Sequence, residues 1–371
     1  MEITEIRWEA VTVNHRGDWL FVIVETDEGV RGFGEINAGV NYADRVESLH
    51  QLAKELHGYD PREIEPLVRR MVDMNLDASS LSSFSAIEQA LWDIDGKLAD
   101  APMWRQFFPS GGDPVALYAN INRATVDRSP EGFSRNAVAA VADGFDAVKL
   151  APFDGFPYEI DNAENAKEGI ACVEAVRESI GPTIRLMVDV HSHFTMKGAL
   201  ELAEALRHLD LFWIEQPFVE TDLDAVARYR KECGIRLAGG EGFRRASEFI
   251  KLLECQCLDV IMPDICYIGG VHVLREIAKA ASNYGTFVSP HGPRGPFSLV
   301  ASSQAVSSFP QFMMMEFAWG EVSWRQKLTI PNEMIRDGNL ILTDEPGLGL
   351  ELNMEVLKEY RVSALDGSVD G

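Results

Sequence analysis

Basic side chains are scarce in this chain of 371 residues: 34 Lys and Arg stand against 58 Asp and Glu, a formal net charge of -24. That balance excludes nucleic acid and anionic membrane as partners, since both need a basic surface. An anionic small molecule stays possible, because a metal ion can reverse the local field. Cysteine is rare and odd in number: Cys172, Cys233, Cys255, Cys257 and Cys266. A disulfide framework is not expected, and a reducing cytoplasm fits. Cys255 and Cys257 form a C-x-C pair, but no second pair or nearby histidine completes a metal site. No apolar run approaches the length of a membrane span. The start, Met-Glu-Ile-Thr-Glu-Ile, lacks the basic and apolar stretches of a signal peptide. No G-x-G-x-x-G or Walker A pattern sits at a strand-to-helix junction, which argues against an open doubly wound nucleotide-binding sheet.

What is present divides the chain. Ile3 to Val13, Trp19 to Thr26 and Val30 to Glu35 carry β-branched and aromatic residues between turn signals, the pattern of an antiparallel meander. Helical spacing follows over 44–57, 61–75 and 82–98. From about residue 115 short apolar runs alternate with helical segments, at 115–121, 145–151, 184–192, 211–218, 236–241, 259–265, 286–292 and 312–318. Eight buried strands with seven helices between them predict a (β/α)7β TIM-type barrel, an α/β fold. The expected division is an α+β capping domain over 1–114, the barrel over 115–322, and a C-terminal segment over 323–371 that returns to the cap.

In such a barrel the reacting groups stand at the C-terminal ends of the strands. The second run ends at Lys149, the third at Asp189 and His191, and the fourth at Glu215. The fifth ends at Glu241, the sixth at Asp264, the seventh at His291 and the eighth at Glu316. Any one strand-end acid is unremarkable; seven consecutive strands ending in ionisable residues are not. Asp189, Glu215 and Glu241 follow one another at intervals of 26 residues, one strand-helix unit each. Three carboxylates facing one cup would repel and raise each other's pKa, which a hard divalent cation resolves; oxygen ligands point to Mg2+. The alternative is a proton-sharing carboxylate network without metal. Asp264 on one strand and His291 on the next suit a dyad in which a carboxylate fixes the imidazole tautomer. His191 lies two residues beyond Asp189 and so, by the period of a strand, faces inward as a general acid or a partner of the metal carboxylates.

The whole pattern resembles the mandelate-racemase-like branch of the enolase superfamily. The motifs that carry the likeness are Thr26-Asp27-Glu28-Gly29-Val30-Arg31-Gly32-Phe33-Gly34-Glu35, Met187-Val188-Asp189, Trp213-Ile214-Glu215-Gln216-Pro217, Gly239-Gly240-Glu241, Pro263-Asp264 with Gly269-Gly270, Ser289-Pro290-His291 and Pro346-Gly347-Leu348-Gly349. The resemblance implies Mg2+ on Asp189, Glu215 and Glu241, a base carried by the Asp264–His291 dyad, and Glu316 as a neutral acid bound to the substrate carboxylate. Racemases of this branch carry Lys-x-Lys on the second strand; here the run is Val148-Lys149-Leu150-Ala151, so the second lysine is alanine. Asp189-x-His191 instead matches the sugar-acid dehydratases of the galactonate type, in which the histidine protonates the departing hydroxyl. Those relatives often have arginine where this chain has His193.

The resulting expectation is dehydration of an aldonate or aldarate to a 2-keto-3-deoxy acid in the cytoplasm. Epimerisation or cycloisomerisation through the same enolate is the first alternative, and a barrel that binds sugar acids without turnover the second. His15, Arg16 and Trp19, the segment from Asn37 to Arg45, and His193 are expected to contact the far end of the substrate, with Trp319 and Arg294 as further candidates. A symmetric homo-oligomer is the default assembly.

Overall fold

The computed structural model describes residues 1–15, 17–36, 42–108 and 111–362. Strands β1 (Ile3–Asn14), β2 (Gly17–Thr26) and β3 (Arg31–Ile36) form an antiparallel sheet in that order. Its inner face packs on α1 (Ala43–Leu56) and α3 (Ala78–Leu98), and α2 (Ile64–Asp73) packs on α3. α3 lies flush on β3 because Gly32 and Gly34 have no side chains. A Cβ on either would stand 2.0 Å from a carbonyl oxygen of α3, that of Ala90 or Ala86. α3 starts four residues before the apolar spacing does: Asp77 accepts hydrogen bonds from the amides of Ser79 and Ser80 and caps it.

A short helix, α4 (Met103–Phe107), leads into the barrel. Its strands are β4 (Val115–Asn120), β5 (Ala147–Leu150), β6 (Arg185–Asp189), β7 (Trp213–Glu215), β8 (Leu237–Gly239), β9 (Val260–Ile261), β10 (Phe287–Val288) and β11 (Met315–Ala318). Between them run α5 (Pro130–Ala142), α6 (Lys167–Ile180), α7 (Met196–Leu206), α8 (Leu223–Cys233), α9 (Ala246–Cys255), α10 (Val271–Tyr284) and α11 (Pro296–Val306). Neighbouring strands from β4 to β10 pair in parallel. β11 pairs with β4, and a bridge between Val288 and Phe312 joins β10 to the segment before β11, so the cylinder closes as (β/α)7β.

Alternation along the strands builds the interior in two layers. Tyr118, Ala147, Met187, Trp213, Ala238, Val260, Met262 and Met314 form one buried apolar cluster. Two residues beyond Tyr118, Ala147, Met187, Trp213, Met262 and Met314 come Asn120, Lys149, Asp189, Glu215, Asp264 and Glu316. The barrel therefore has an apolar floor and an ionisable layer above it, at the C-terminal ends of its strands.

The chain after β11 runs back to the cap. β12 (Thr329–Ile330) pairs with β15 (Glu351–Leu352), while β13 (Ile335–Arg336) and β14 (Asn339–Leu340) form a hairpin on the start of β4. A final helix, α12 (Met354–Tyr360), packs on β1 and is followed by a hydrogen bond from Val362 N–H to Ala10. The return to the cap is as expected, and the seven residues of α12 are too few to show a clear period in the sequence.

The sulfurs of Cys255 and Cys257 lie against each other across one intervening residue, a contact that ties no distant parts of the chain together. The other three cysteines are free and buried. No helix among the described residues is long and apolar enough to cross a membrane.

Candidate active site

Asp189, Glu215 and Glu241 each offer a carboxylate oxygen within 4.8 Å of the others, at the ends of β6 and β7 and just past β8. The β6–β7 register places Asp189 directly beside Glu215, and Glu241 follows the turn at Gly240. Lys149, fully buried on β5, reaches into this group: Nζ is 2.7 Å from Glu215, 2.9 Å from Glu316 and 3.5 Å from Asp189. Burial works against its charge, but Glu215, Glu316 and Asp189 outweigh that and hold the ammonium well above the usual lysine range. Burial and the neighbouring Asp189 push the Glu215 carboxyl up. Asp189 goes the other way: burial is outweighed by His191 and Lys149, which keep it below the ordinary range. A compact, buried, all-oxygen donor set of this kind is chemically fitted to a hard divalent cation, and the three acids are the residues that would hold it.

Two imidazoles border the carboxylates. His191 and His291 follow β6 and β10, which are four strands apart in a ring of eight and so stand on opposite walls. His191 Nε2 is 3.0 Å from Asp189 and its Nδ1 is 2.5 Å from Asp154. His291 Nε2 is 3.2 Å from Glu241 and its Nδ1 is 2.8 Å from Asp264. Each ring is thus oriented by its own carboxylate through Nδ1 and presents Nε2 to the cluster. For His191, burial is outweighed by Asp189 and Asp154, and the imidazolium is favoured well beyond the usual value. For His291, burial is outweighed by Glu241, Glu316 and Asp264, also in the upward direction. Asp264 is held low, against burial, by Arg294 and His291.

Asp154 is absent from the residues that the sequence pointed to. It lies in a loop beyond β5, where strand period gives no phase. It also accepts from the Asn122 side chain at 3.0 Å. Glu316, expected as a neutral acid, stands among hydrogen-bond donors and a cation. Its oxygens accept from Asn120 at 2.8 Å and from the Gly292 amide at 3.0 Å, and Lys149 adjoins it. Against the opposing effect of burial, Lys149 and His291 draw its carboxyl down from the ordinary value, a direction that favours the ionised form.

The expected substrate contacts fare differently. Trp19 is 3% exposed and packs edge-on against Trp324, with Arg325 over its ring; it is core, joining cap to C-terminal segment. The register explains this, since Trp19 pairs with Val11 inside the β1–β2 sheet and not in the loop. His193 is turned away from the carboxylates: it stacks on Tyr158 at 4.4 Å and its Nδ1 meets the Pro157 carbonyl. Strand period fails there because β6 ends at Asp189 and both His191 (φ 47°) and Ser192 (φ 59°) are left-handed. Trp319 points outward and donates to Asp143, while Arg294 braces the dyad at 2.6 Å from Asp264. His15 is exposed at the β1–β2 turn. Its neighbour Asn14 donates to Glu321, beyond β11, which ties that turn to the barrel rim. Arg16 and Asn37 lie outside the described residues.

Comparison with known families agrees with this architecture. Residues 3–106 match the mandelate racemase / muconate lactonizing enzyme N-terminal domain, and residues 132–356 match the enolase C-terminal domain-like family. The chain belongs to the enolase superfamily. Within this superfamily it is 28% identical to a D-xylonate dehydratase of Haloferax volcanii, over 97% of this chain and 89% of that one. It is 31% identical to a D-galactarolactone cycloisomerase of Agrobacterium fabrum, over 92% and 91%. A mandelate racemase/muconate lactonizing enzyme-like protein from Rubrobacter xylanophilus superposes with a TM-score of 0.90 at 28% identity, over 98% of each chain.

Proposed function

We propose that this enolase-superfamily member is a cytoplasmic Mg2+-dependent dehydratase of a sugar acid, an aldonate or aldarate. What carries the reading is the pair of carboxylate-oriented imidazoles on opposite walls of one acidic cluster. Loss of water from opposite faces of a 2,3-dihydroxy acid needs a base at the α-carbon on one side and an acid at the β-hydroxyl on the other, and a single histidine cannot stand at both. Magnesium on Asp189, Glu215 and Glu241 supplies, when bound, the positive charge that makes the α-proton of a carboxylate acidic enough to remove. The Lys149 ammonium adds fixed positive charge beside the same carboxylates, and ionised Glu316 keeps that ammonium in place.

His291 Nε2 accepts the α-proton while Asp264 on Nδ1 holds the ring. His191 Nε2 gives a proton to the β-hydroxyl, the C–O bond breaks, and water departs. The enol left between C2 and C3 ketonises by taking a proton at C3, which gives the 2-keto-3-deoxy acid. The dehydratase relatives support this assignment, and the cycloisomerase relative supports a second one, in which the same proton transfer opens a lactone by expelling its ring oxygen in place of water.

The test is incubation with Mg2+ and a panel of sugar acids and lactones in D2O, reading 2-keto acid and deuterium at the α-carbon together. Keto acid from an open-chain sugar acid is the expected result. Exchange without keto acid, or turnover of a lactone alone, moves the reading to the second assignment. Neither signal on any panel member overturns both.

A further inference from the structure

Two buried carboxylates of the cap have no place in the mechanism above. Glu88, on α3, accepts hydrogen bonds from the amides of Val271 at 2.6 Å and His272 at 2.9 Å, and from the Trp92 indole. It sits on the N-terminus of barrel helix α10, where a carboxylate meets both the unpaired amides and the positive end of the helix dipole. Glu35, at the end of β3, accepts from the amides of Gly295 at 2.6 Å and Ser298 at 3.1 Å, on the N-terminus of α11. Both are fully buried. Ser85, one turn before Glu88, accepts from the Gly269 amide at 2.9 Å. The fit is tight: a Cβ on Gly270 would stand 2.0 Å from Glu88, and one on Gly295 would stand 2.8 Å from Glu35.

These two helices follow the two loops that carry the base dyad. Asp264 lies seven residues before Val271, and His291 four before Gly295. Cys266, two residues past Asp264, donates to the Glu35 carbonyl and ties the first loop to β3 as well. The metal-binding acids are placed otherwise. Asp189 and Glu215 stand on β6 and β7 themselves, and Glu220, a residue of the barrel, accepts from the Gly240 amide beside Glu241.

We propose that Glu35 and Glu88 are positioning residues for the base: they clamp the Asp264 and His291 loops to the cap, so that the proton acceptor is in register only while the cap is seated on the barrel. This rests on the dehydratase reading for the word base, but the clamp itself does not need it. The near-isosteric variants Glu35→Gln and Glu88→Gln each put an amide N–H against a backbone N–H and open the clamp; Ser85→Ala is a milder third. Each is measured for amide hydrogen exchange, for Mg2+ affinity by calorimetry, and for α-deuterium exchange. Loss of buried hydrogen bonds to the helix amides should lower protection over 264–273 and 291–299 about tenfold, with 185–189 and 213–217 unchanged. Mg2+ affinity stays within about twofold, and α-exchange falls about 100-fold through kcat with KM little changed, as misplacement of a reacting group does. A general loss of structure would instead move all three readouts together, and that result overturns the proposal. So does α-exchange at the wild-type rate in variants whose loops have loosened. Unchanged protection of both loops overturns the clamp whether or not the wild type turns anything over. A wild type silent on every sugar acid removes the functional reading alone, and there the protection data decide the clamp.

Discussion

The two sides of the barrel rim are built by different means. On the β5–β7 side, Lys149, Asp189 and Glu215 lie on strands and brace one another, and His191 is oriented by Asp154 from a neighbouring loop. On the β9–β10 side, Asp264 and His291 lie beyond short strands of two residues each, and their loops are held from outside by Glu35, Ser85 and Glu88 of the cap. The first side is rigid by virtue of the barrel, the second by virtue of a second domain. A cation site profits from the first arrangement, because its donors must keep their spacing with or without substrate. A base that should act only on an enclosed substrate profits from the second.

The largest effect that separates the sides is chemical. His291→Asn should lower both α-deuterium exchange and keto acid formation by about a thousandfold or more, while His191→Asn lowers dehydration by a similar factor and retains exchange. Equal loss of both signals in the two variants would collapse the distinction between acid and base walls. Chelation by EDTA should abolish both activities, with recovery on addition of Mg2+, and saturating Mg2+ at about 100 times its Kd should stabilise the fold by about 2.7 kcal/mol in thermal unfolding. Lys149→Met leaves Glu215 and Glu316 buried without their cation and should destabilise the protein by about 3 to 5 kcal/mol. That deficit should shrink when Mg2+ is present, which no packing defect would do. Replacing a residue of the other wall should show no such rescue.

The clamp adds a pH dependence of its own. Burial outweighs the hydrogen bonds to Glu88 and Glu35 and raises their carboxyls to about 7 and about 6. A raised carboxyl binds its proton more tightly in the folded state, so its contribution is fully present below about 4.5 and is lost as pH rises through 6 to 7. The stability of the wild type relative to Glu88→Gln should therefore be greater at pH 5 than at pH 8, by up to about 3 kcal/mol, in denaturant titrations at the two pH values. A gap that is constant or grows with pH would refute this. The smallest effect is expected at Trp19: Trp19→Phe should lower stability by about 1 kcal/mol and leave KM for the sugar acid unchanged, since the indole faces Trp324 and not the site.

Much of this was legible in the sequence because a barrel strand writes its two layers in alternate letters. Met187-x-Asp189, Trp213-x-Glu215 and Met314-x-Glu316 each name a floor residue and the group above it. Legibility stops where the pleat stops. His191 reached the cluster through a left-handed turn rather than by strand phase, and the same turn sent His193 the other way. Asp154 and Asn122 lie in loops, which have no period to extrapolate. Glu88 was hidden for another reason: α3 reads as a surface helix with one apolar face, yet it is buried nearly all round from Leu81 to Ile94, so its polar residues meet protein instead of water. Which buried carboxylate caps which distant helix depends on a domain contact spanning more than 180 residues, and no local spacing encodes that.

The apolar floor made by Tyr118, Met187, Trp213, Met262 and Met314 has one more effect. It turns the cylinder into a well with no drain: whatever enters over the ionisable layer must leave by the same rim. On the proposed clamp, any parting of cap from barrel at that rim would load Glu35 and Glu88 first, so that departure of a product and slackening of the proton acceptor would be one movement.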